Sequence, residues 1–208
     1  MADLLLLQLP RTATASLVHA FAGVGIKAEV PQHLGQVRQA QRADVPIATV
    51  VRDPIDRYQS WFNTRLRSGR PHHPQIWNDR EAAVFSVLRS ANALGEALIS
   101  EDPWLRSVGD RALVMWFNHY SPITQLAEIV EETGATVAGD MSDLPAAVAR
   151  IAKLVGCAIP ALPTDEAIID ATPESLRAPL SPLASVGFRT RLDEERAAYE
   201  ELLAAVVG

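Results

Sequence analysis

Two arginines, Arg11 and Arg52, each stand between a short apolar run and a segment with helical spacing of apolar residues. The apolar runs are Leu4 to Leu9 and Ile47 to Val51, and both are typical of buried strands. In open α/β sheets, ligands bind just beyond the carboxyl ends of the strands. Because a planar guanidinium matches the oxygens of a phosphate group, arginines at these places predict an anion site.

The segment that follows the first apolar run is rich in small and hydroxylated residues. Thr12, Thr14 and Ser16 would add hydroxyl donors to the charge of Arg11. The first N–H groups of the next helix would point at the same loop. The alternative is an ordinary strand-to-helix turn capped by Ser or Thr. The loop contains no glycine and no lysine, so it is not the glycine-rich nucleotide loop.

Around Arg52 the chain allows two interpretations. In the first, Arg52 contacts an anion and Ser60, on the following helix, adds a hydroxyl. In the second, the segment is only a helix entry that Pro54 starts and Asp53 or Asp56 caps. This segment alone does not decide between them.

The two segments together resemble the sulfotransferase family. One family motif, Pro-Lys/Arg-Thr/Ser-Gly-Thr/Ser-Thr-Ser-Leu, grips the 5′-phosphosulfate of the donor 3′-phosphoadenosine 5′-phosphosulfate (PAPS). Its counterpart here is Pro10-Arg11-Thr12-Ala13-Thr14-Ala15-Ser16-Leu17. A second motif, Val-Arg-Asp-Pro-x-x-Arg-x-x-Ser, binds the 3′-phosphate through its first Arg and its Ser. Every fixed position of it is present in Val51-Arg52-Asp53-Pro54-Ile55-Asp56-Arg57-Tyr58-Gln59-Ser60.

The resemblance implies transfer of a sulfonate group from PAPS to an acceptor hydroxyl or amine, without a metal. It implies a single domain over residues 1–208 with a P-loop NTPase-like, three-layer α/β/α fold. The acceptor would be a small molecule or a glycan. The donor-binding residues that it implies are Arg11, Thr12, Ala13, Thr14, Ala15, Ser16, Arg52 and Ser60.

Three positions depart from the family pattern. Ala13 replaces the usual glycine and would be strained if that position needs a positive φ. Ala15 removes a possible donor, and Arg11 replaces the lysine of many members. These departures leave a non-catalytic nucleotide-binding protein as one alternative. A P-loop-like nucleotide or nucleoside kinase is the other, disfavoured because the lysine-bearing loop is absent.

His33 is the expected general base. In the cytosolic branch of the family a His-Leu pair after a strand supplies the base, and His33-Leu34 follows the predicted second strand. Pro31 stands where that branch often has a lysine. Glu29 is the alternative base, and Arg11 would neutralise charge on the leaving phosphate. His19, His72, His73 and His119 have weaker claims, with His72, His73 and His119 as possible acceptor contacts.

Composition excludes several classes of function. The 208 residues carry a net charge of −6 and are 48% hydrophobic, which suits one α/β domain without a general nucleic-acid surface. The lone Cys157 is expected to be buried and inert. The run Leu4 to Leu9 is too short to span a membrane, so a cytoplasmic protein is expected. The oligomeric state is left open.

Apolar runs that alternate with helical patterns predict a mostly parallel sheet covered on both faces. The predicted strands are 4–9, 26–30, 47–51 and 135–138. The predicted helices are 14–23, 54–67, 80–100, 123–132, 142–155 and 192–207, with residues 112–117 either strand or helix end. Residues 158–182 are expected to be irregular, and residues 185–189 to form a late loop over the nucleotide. Trp61 and Phe62 are expected in the core, and acceptor contacts in loops 68–78 and 116–125.

Overall fold

A computed structural model describes residues 2–68, 70, 74–119, 122–164 and 178–206. The chain divides into two compact units. The first comprises Met1–Asp53, Pro122–Ile169 and Ala197–Gly208, and the second comprises Pro54–Ser121 and Asp170–Arg196. The division into two compact units does not test the single domain expected from the sequence, which stays a prediction.

The described residues form four strands, ten α-helices and one short 3-10 helix. In chain order they are β1 (Leu4–Leu6), α1 (Thr14–Gly23), β2 (Ala28–Glu29), α2 (Leu34–Arg42), β3 (Ile47–Val51), α3 (Pro54–Leu66), α4 (Asp79–Val87), α5 (Ala91–Ala97), α6 (Pro103–His119), α7 (Ile123–Thr133), β4 (Thr136–Asp140), the 3-10 helix (Met141–Asp143), α8 (Leu144–Val155), α9 (Pro182–Arg191) and α10 (Asp193–Ala204).

The four strands form one sheet in the first unit, in the order β2-β1-β3-β4, and every pairing is parallel. Successive strand residues point to opposite faces. Accordingly, Leu5 and Leu7 belong to a core cluster with residues of α2 and α7, whereas Leu4 and Leu6 pack with residues of α1 and α8. The unit is therefore α/β with helices on both faces of the sheet, which is compatible with three layers.

Strand lengths differ from those expected. The strand 47–51 is confirmed, but β1 ends at Leu6 and β2 covers only Ala28–Glu29. Leu9, three residues beyond β1, is still only 1% exposed. The apolar pattern reports burial, which here continues after the strand pairing has ended.

The helix α2 has no counterpart among the predicted elements. Its sequence is mostly polar, and only Val37 and Ala40 are buried, so its apolar pattern is too sparse to indicate a helix. The helices α1, α7 and α8 are confirmed. Gly134 and Gly156 end α7 and α8 at φ values of 65° and 71°, where the absence of a Cβ removes the steric cost.

The second unit is built from helices around an aromatic core. Tyr58, Trp61 and Trp116 lie within 5.4 Å of one another between ring centroids. Trp61 and Phe62 are 1% and 0% exposed, which confirms them as core residues. The hydroxyl of Tyr58 has no hydrogen-bond partner in the described part of the chain, and burial raises the pKa of Tyr58 well above its usual value.

The long helix predicted over residues 80–100 is wrong. Leu88 takes an extended conformation with ψ of 101° and separates α4 from α5. The Ser90 hydroxyl then caps α5 by accepting a hydrogen bond of 3.1 Å from the Ala93 N–H. The apolar spacing continued across the break because both helices pack on the same core. Residues 112–117 are helical, within α6.

The predicted loop at 185–189 is also wrong, because these residues lie inside α9. This helix packs closely against α5. A methyl group on Gly187 would lie 1.8 Å from the carbonyl oxygen of Gly95, and one on Gly95 would lie 2.6 Å from that of Ala184. Glycine at both positions lets the two backbones approach.

Residues 158–164 and 178–181 contain no helix or strand, in agreement with the irregular segment predicted there. Residues 165–177 of that segment lie outside the described chain. No helix in the described ranges is both long and apolar enough to cross a membrane.

Candidate functional site

The order of the strands in the first unit identifies one position along the carboxyl ends of the sheet. The chain passes from β1 to β2 on one side and then crosses to β3 on the other side of β1. The carboxyl ends of β1 and β3 therefore flank the point at which the strand order reverses. Ligands of open parallel sheets bind in the crevice at this point.

Arg11 and Arg52 lie at this crevice and are in contact. Arg11 follows β1, Arg52 directly follows β3, and both are partly exposed. The Nη1 of Arg52 donates a hydrogen bond of 3.2 Å to the carbonyl oxygen of Arg11. The structure thus brings together the two arginines that the sequence predicted at an anion site. The side chain of Arg52 supports the backbone of Arg11.

The loop between β1 and α1 has an unusual backbone. Arg11 has a φ of 71° and Ala13 a φ of 58°, whereas Thr12 between them is not among the residues with positive φ. Left-handed residues of this kind are a component of the backbone turns that bind anions through successive N–H groups. A left-handed conformation costs a residue with a Cβ about 1–2 kcal/mol. Ala13 is thus held where the family pattern has glycine, as the sequence argument anticipated.

The hydroxyl groups of the loop are turned inward. Thr12 is 2% exposed and donates a hydrogen bond of 2.5 Å to the carbonyl oxygen of Leu9. Its oxygen lies 3.5 Å from that of Thr14, which is 8% exposed. The Thr12 hydroxyl therefore fixes the loop from within.

The donors that this loop offers are backbone N–H groups. The Ala13 carbonyl accepts the first hydrogen bond of α1, from the Leu17 N–H at 3.0 Å. The N–H groups of Thr14, Ala15 and Ser16 precede this bond and have no acceptor inside the helix. Ala15 is exposed and Ser16 is 4% exposed. The helix dipole adds a partial positive charge at this end.

His33 follows β2, at the end of the sheet order, and its side chain is exposed at the start of α2. A methyl group on Gly35 would lie 3.0 Å from the Nδ1 of His33. The absence of a side chain at Gly35 thus leaves room for the imidazole over the first turn of the helix.

Glu29 is engaged by a neighbouring cation. Its Oε1 lies 2.6 Å from the Nζ of Lys27. The hydrogen bond from Lys27 and the charge of its ammonium lower the pKa of Glu29. A lower pKa makes the Glu29 carboxylate a weaker proton acceptor.

Ser60 lies on α3 in the second unit and is 6% exposed. The predicted pairing of Ser60 with Arg52 on one phosphate stays a prediction.

Two further arginines, Arg57 and Arg65, lie buried in the second unit. Arg57 is 1% exposed, lies 4.9 Å above the Trp116 ring and is 3.9 Å from the Glu195 carboxylate. Arg65 is 5% exposed and donates two hydrogen bonds, of 2.7 and 2.6 Å, to Glu81. Their charges are balanced by buried carboxylates, so they stabilise the unit.

The remaining candidate residues are less informative. His19 is exposed on α1, and Cys157 is half-buried rather than buried, with its thiol donating to the Ala158 carbonyl oxygen at 3.2 Å. His72, His73 and the side chain of His119 lie outside the described parts of the chain, as does much of the two predicted acceptor loops. Among the described residues, no group of three or more His, Cys, Asp or Glu side chains could hold a metal ion.

Sequence reasoning missed Asp140, the last residue of β4, which is half-buried. Its Oδ2 accepts a hydrogen bond of 2.9 Å from the Tyr199 hydroxyl, and its Oδ1 accepts one of 2.7 Å from the Ser142 N–H. In the sheet, Asp140 is level with Val51, which precedes Arg52. The sequence could have indicated Asp140 as a carboxylate at the end of an apolar run. The predicted strand ended at Ala138, two residues too early.

Comparison with protein-family models, with curated proteins and with solved structures found no match to this chain.

Proposed function

We propose that the chain is a PAPS-dependent sulfotransferase with a P-loop-like fold, and that the crevice between β1 and β3 binds the donor. The observation that carries this proposal is the contact between Arg52 and Arg11 at the reversal of strand order. The resemblance to the two sulfotransferase motifs falls on these same segments.

The loop supports donor binding through its backbone. Strained residues persist where the surrounding structure over-determines them, commonly at functional sites. The positive φ values of Arg11 and Ala13, together with the first N–H groups of α1, suit the anionic oxygens of a phosphosulfate group. Thr12, Thr14 and Ser16 would contribute mainly through these backbone groups.

In the proposed reaction, the acceptor oxygen bonds to sulfur while the sulfur–oxygen bond to the 5′-phosphate breaks. The electron pair of that bond goes to the phosphate, and Arg11 stabilises the charge that develops there. The acceptor proton goes to an imidazole nitrogen of His33, which acts as the general base. Arg52 would bind the 3′-phosphate.

The acceptor is proposed to be a small molecule or a glycan, and the protein is proposed to be cytoplasmic. A nucleic-acid partner is disfavoured by the net charge of −6.

Thermal unfolding with adenosine 3′,5′-bisphosphate, the desulfated donor, tests the binding site. A bound ligand stabilises the folded chain by mass action, so this nucleotide should raise the midpoint more than ATP does. Equal or absent shifts would contradict the proposal.

Arg52→Ala tests the assignment of the site. It should weaken bisphosphate binding at least tenfold, since a hydrogen bond to a charged group contributes about 1.5–3 kcal/mol. Arg38→Ala is the control, because Arg38 lies on α2 in an exposed ion pair with Glu132 at 2.8 Å. Unchanged binding by Arg52→Ala would show that the site is wrongly placed.

Transfer of radiolabelled sulfate from PAPS to a panel of sugars, phenols and amines distinguishes an enzyme from a nucleotide-binding protein. His33→Ala should abolish transfer without changing bisphosphate affinity, and His19→Ala, at an exposed position of α1, should leave both unchanged. Bisphosphate binding without transfer to any acceptor would favour the non-catalytic alternative.

A further inference from the structure

The end of β4 places a carboxylate on the edge of the sheet that carries Arg52. β4 pairs with β3 on the side away from β1, and Asp140 is the partner of Val51. Neighbouring strands are about 4.8 Å apart. The residues that follow β1, β3 and β4 therefore lie side by side in that order along the carboxyl ends of the sheet.

A bulge sets the position of Asp140. Thr49 pairs with Val137 and Val50 pairs with Gly139, so Ala138 is an extra residue in β4. Gly139 has a φ of 145°, and a methyl group there would lie 2.9 Å from the Nη1 of Arg150. Insertion of one residue changes the face to which the following side chain points. The bulge thus determines both the level and the direction of Asp140.

The carboxylate of Asp140 is held from two sides. The Tyr199 hydroxyl donates to Oδ2 at 2.9 Å and the Ser142 N–H donates to Oδ1 at 2.7 Å. Two oxygens provide about four acceptor positions, and an ionised carboxylate only accepts. A half-buried carboxylate fixed in this way suits a ligand group that donates a hydrogen bond.

We infer that Asp140, oriented by Tyr199, accepts a hydrogen bond from the ribose 2′-hydroxyl of the bound nucleotide and selects ribonucleotides. This inference rests on the proposed function. Ribose carries its 5′-, 3′- and 2′-substituents in that order along its carbon chain, and the sheet presents the Arg11 loop, Arg52 and Asp140 in the same order. In other α/β folds, a carboxylate beyond the phosphate loop also binds ribose hydroxyls.

Asp140 is a specificity residue in this arrangement, and Tyr199 is a positioning residue. Neither takes part in bond breaking. Their substitution should alter the choice between nucleotides more than the rate of transfer at saturating donor.

The test compares adenosine 3′,5′-bisphosphate with its 2′-deoxy analogue by isothermal titration calorimetry. The unmodified chain should prefer the ribonucleotide about tenfold, the value of one hydrogen bond to a charged group. Asp140→Ala should bind both nucleotides with equal affinity, and Tyr199→Phe should reduce the preference to a few-fold. Equal binding of both nucleotides by the unmodified chain would overturn the inference.

Two controls separate a structural role from ligand recognition. Asp140→Asn keeps the size of the side chain, so a correctly folded Asn variant with an undiminished ribose preference would also overturn the inference. Glu132→Gln, on the exposed end of α7, should leave the preference unchanged.

The design also separates this inference from the proposed function. If the bisphosphates do not bind but ATP does, the proposed function fails, and the pair ATP and 2′-deoxy-ATP decides the role of Asp140 in the same way. If bisphosphates bind without ribose preference, only the role of Asp140 fails. If no nucleotide binds, both fail.

Discussion

In the second unit, Arg57 and Arg65 are 1% and 5% exposed and lie against buried carboxylates. In the first unit, Arg11 and Arg52 are partly exposed at the edge of a parallel sheet, on a backbone with positive φ values. Arg11 lies in the first sulfotransferase-like motif, and Arg52 and Arg57 lie in the second. Arg65 lies further along α3, the helix that contains the end of the second motif. The comparison teaches that arginines buried against carboxylates stabilise the unit, whereas Arg11 and Arg52 lie where ligands of open parallel sheets bind.

The two units also differ in where they tolerate close packing and strain. The second unit uses glycine where α5 and α9 approach, whereas the first unit places alanine in a left-handed conformation in the loop before α1. Matched substitutions in the two units can test these differences.

The largest effect is expected for the ion pairs. Glu81→Gln keeps the size and the helix cap of Glu81 but leaves the Arg65 charge buried without its partner, so it should lower the free energy of unfolding by about 3 kcal/mol. Glu132→Gln, in the exposed pair with Arg38 of the first unit, should cost about 1 kcal/mol or less. Urea unfolding of both variants measures the difference. Similar losses would break the contrast between the units.

The next effect concerns glycine. Gly187→Ala should destabilise the chain by about 3 kcal/mol, because the new methyl group would lie 1.8 Å from a backbone oxygen that cannot move freely. Gly23→Ala, at the end of α1 with no atom within 4 Å of the new methyl group, should be neutral or slightly stabilising. Thermal unfolding midpoints compare the two variants. A stable Gly187→Ala chain would contradict the close approach of α5 and α9.

Replacement of tyrosine by phenylalanine should change the free energy of unfolding in opposite directions in the two units. Tyr58→Phe removes a buried hydroxyl without a partner in the described chain and should stabilise by about 1 kcal/mol. Tyr199→Phe removes the donor of a 2.9 Å hydrogen bond to Asp140 and should destabilise by about 1 kcal/mol. Denaturant midpoints decide the signs, and a loss on Tyr58→Phe would show that its hydroxyl has a partner.

The smallest effect tests strain in the loop between β1 and α1. Ala13→Gly relieves a φ of 58° and, after the greater entropy of glycine in the unfolded chain, should be neutral or stabilising by up to about 1 kcal/mol. Ala15→Gly, at the second residue of α1, should destabilise by about 0.5–1 kcal/mol. Differential scanning calorimetry resolves such changes. Equal losses at both positions would mean that the loop does not require a left-handed residue there.

Local patterns in the sequence determined much of the fold. The strand 47–51, the start of α1 at Thr14 and the ends of α7 and α8 at Gly134 and Gly156 followed from apolar spacing, caps and glycine. These features depend on residues close in the chain. The parallel sheet also followed, because alternating strands and helices leave few other arrangements.

Local patterns failed where a second segment decided the outcome. The break at Leu88 between α4 and α5 and the helical state of residues 185–189 depend on packing against distant helices. Arg57 and Arg65 follow Arg52 closely in the chain, and the sequence contains no information on which carboxylates approach them.

The sequence by itself determined that Arg11 and Arg52 follow buried strands, and therefore that both belong to one edge of the sheet. The tertiary structure decided that Arg52 supports the Arg11 backbone, that Ala13 takes a left-handed conformation, and that Tyr199 meets Asp140 across 59 positions of the chain. The physical reason is the range of the interactions. Apolar spacing and caps act within a few residues, whereas strand order, a bulge and a hydrogen bond between distant segments exist only after the chain has folded.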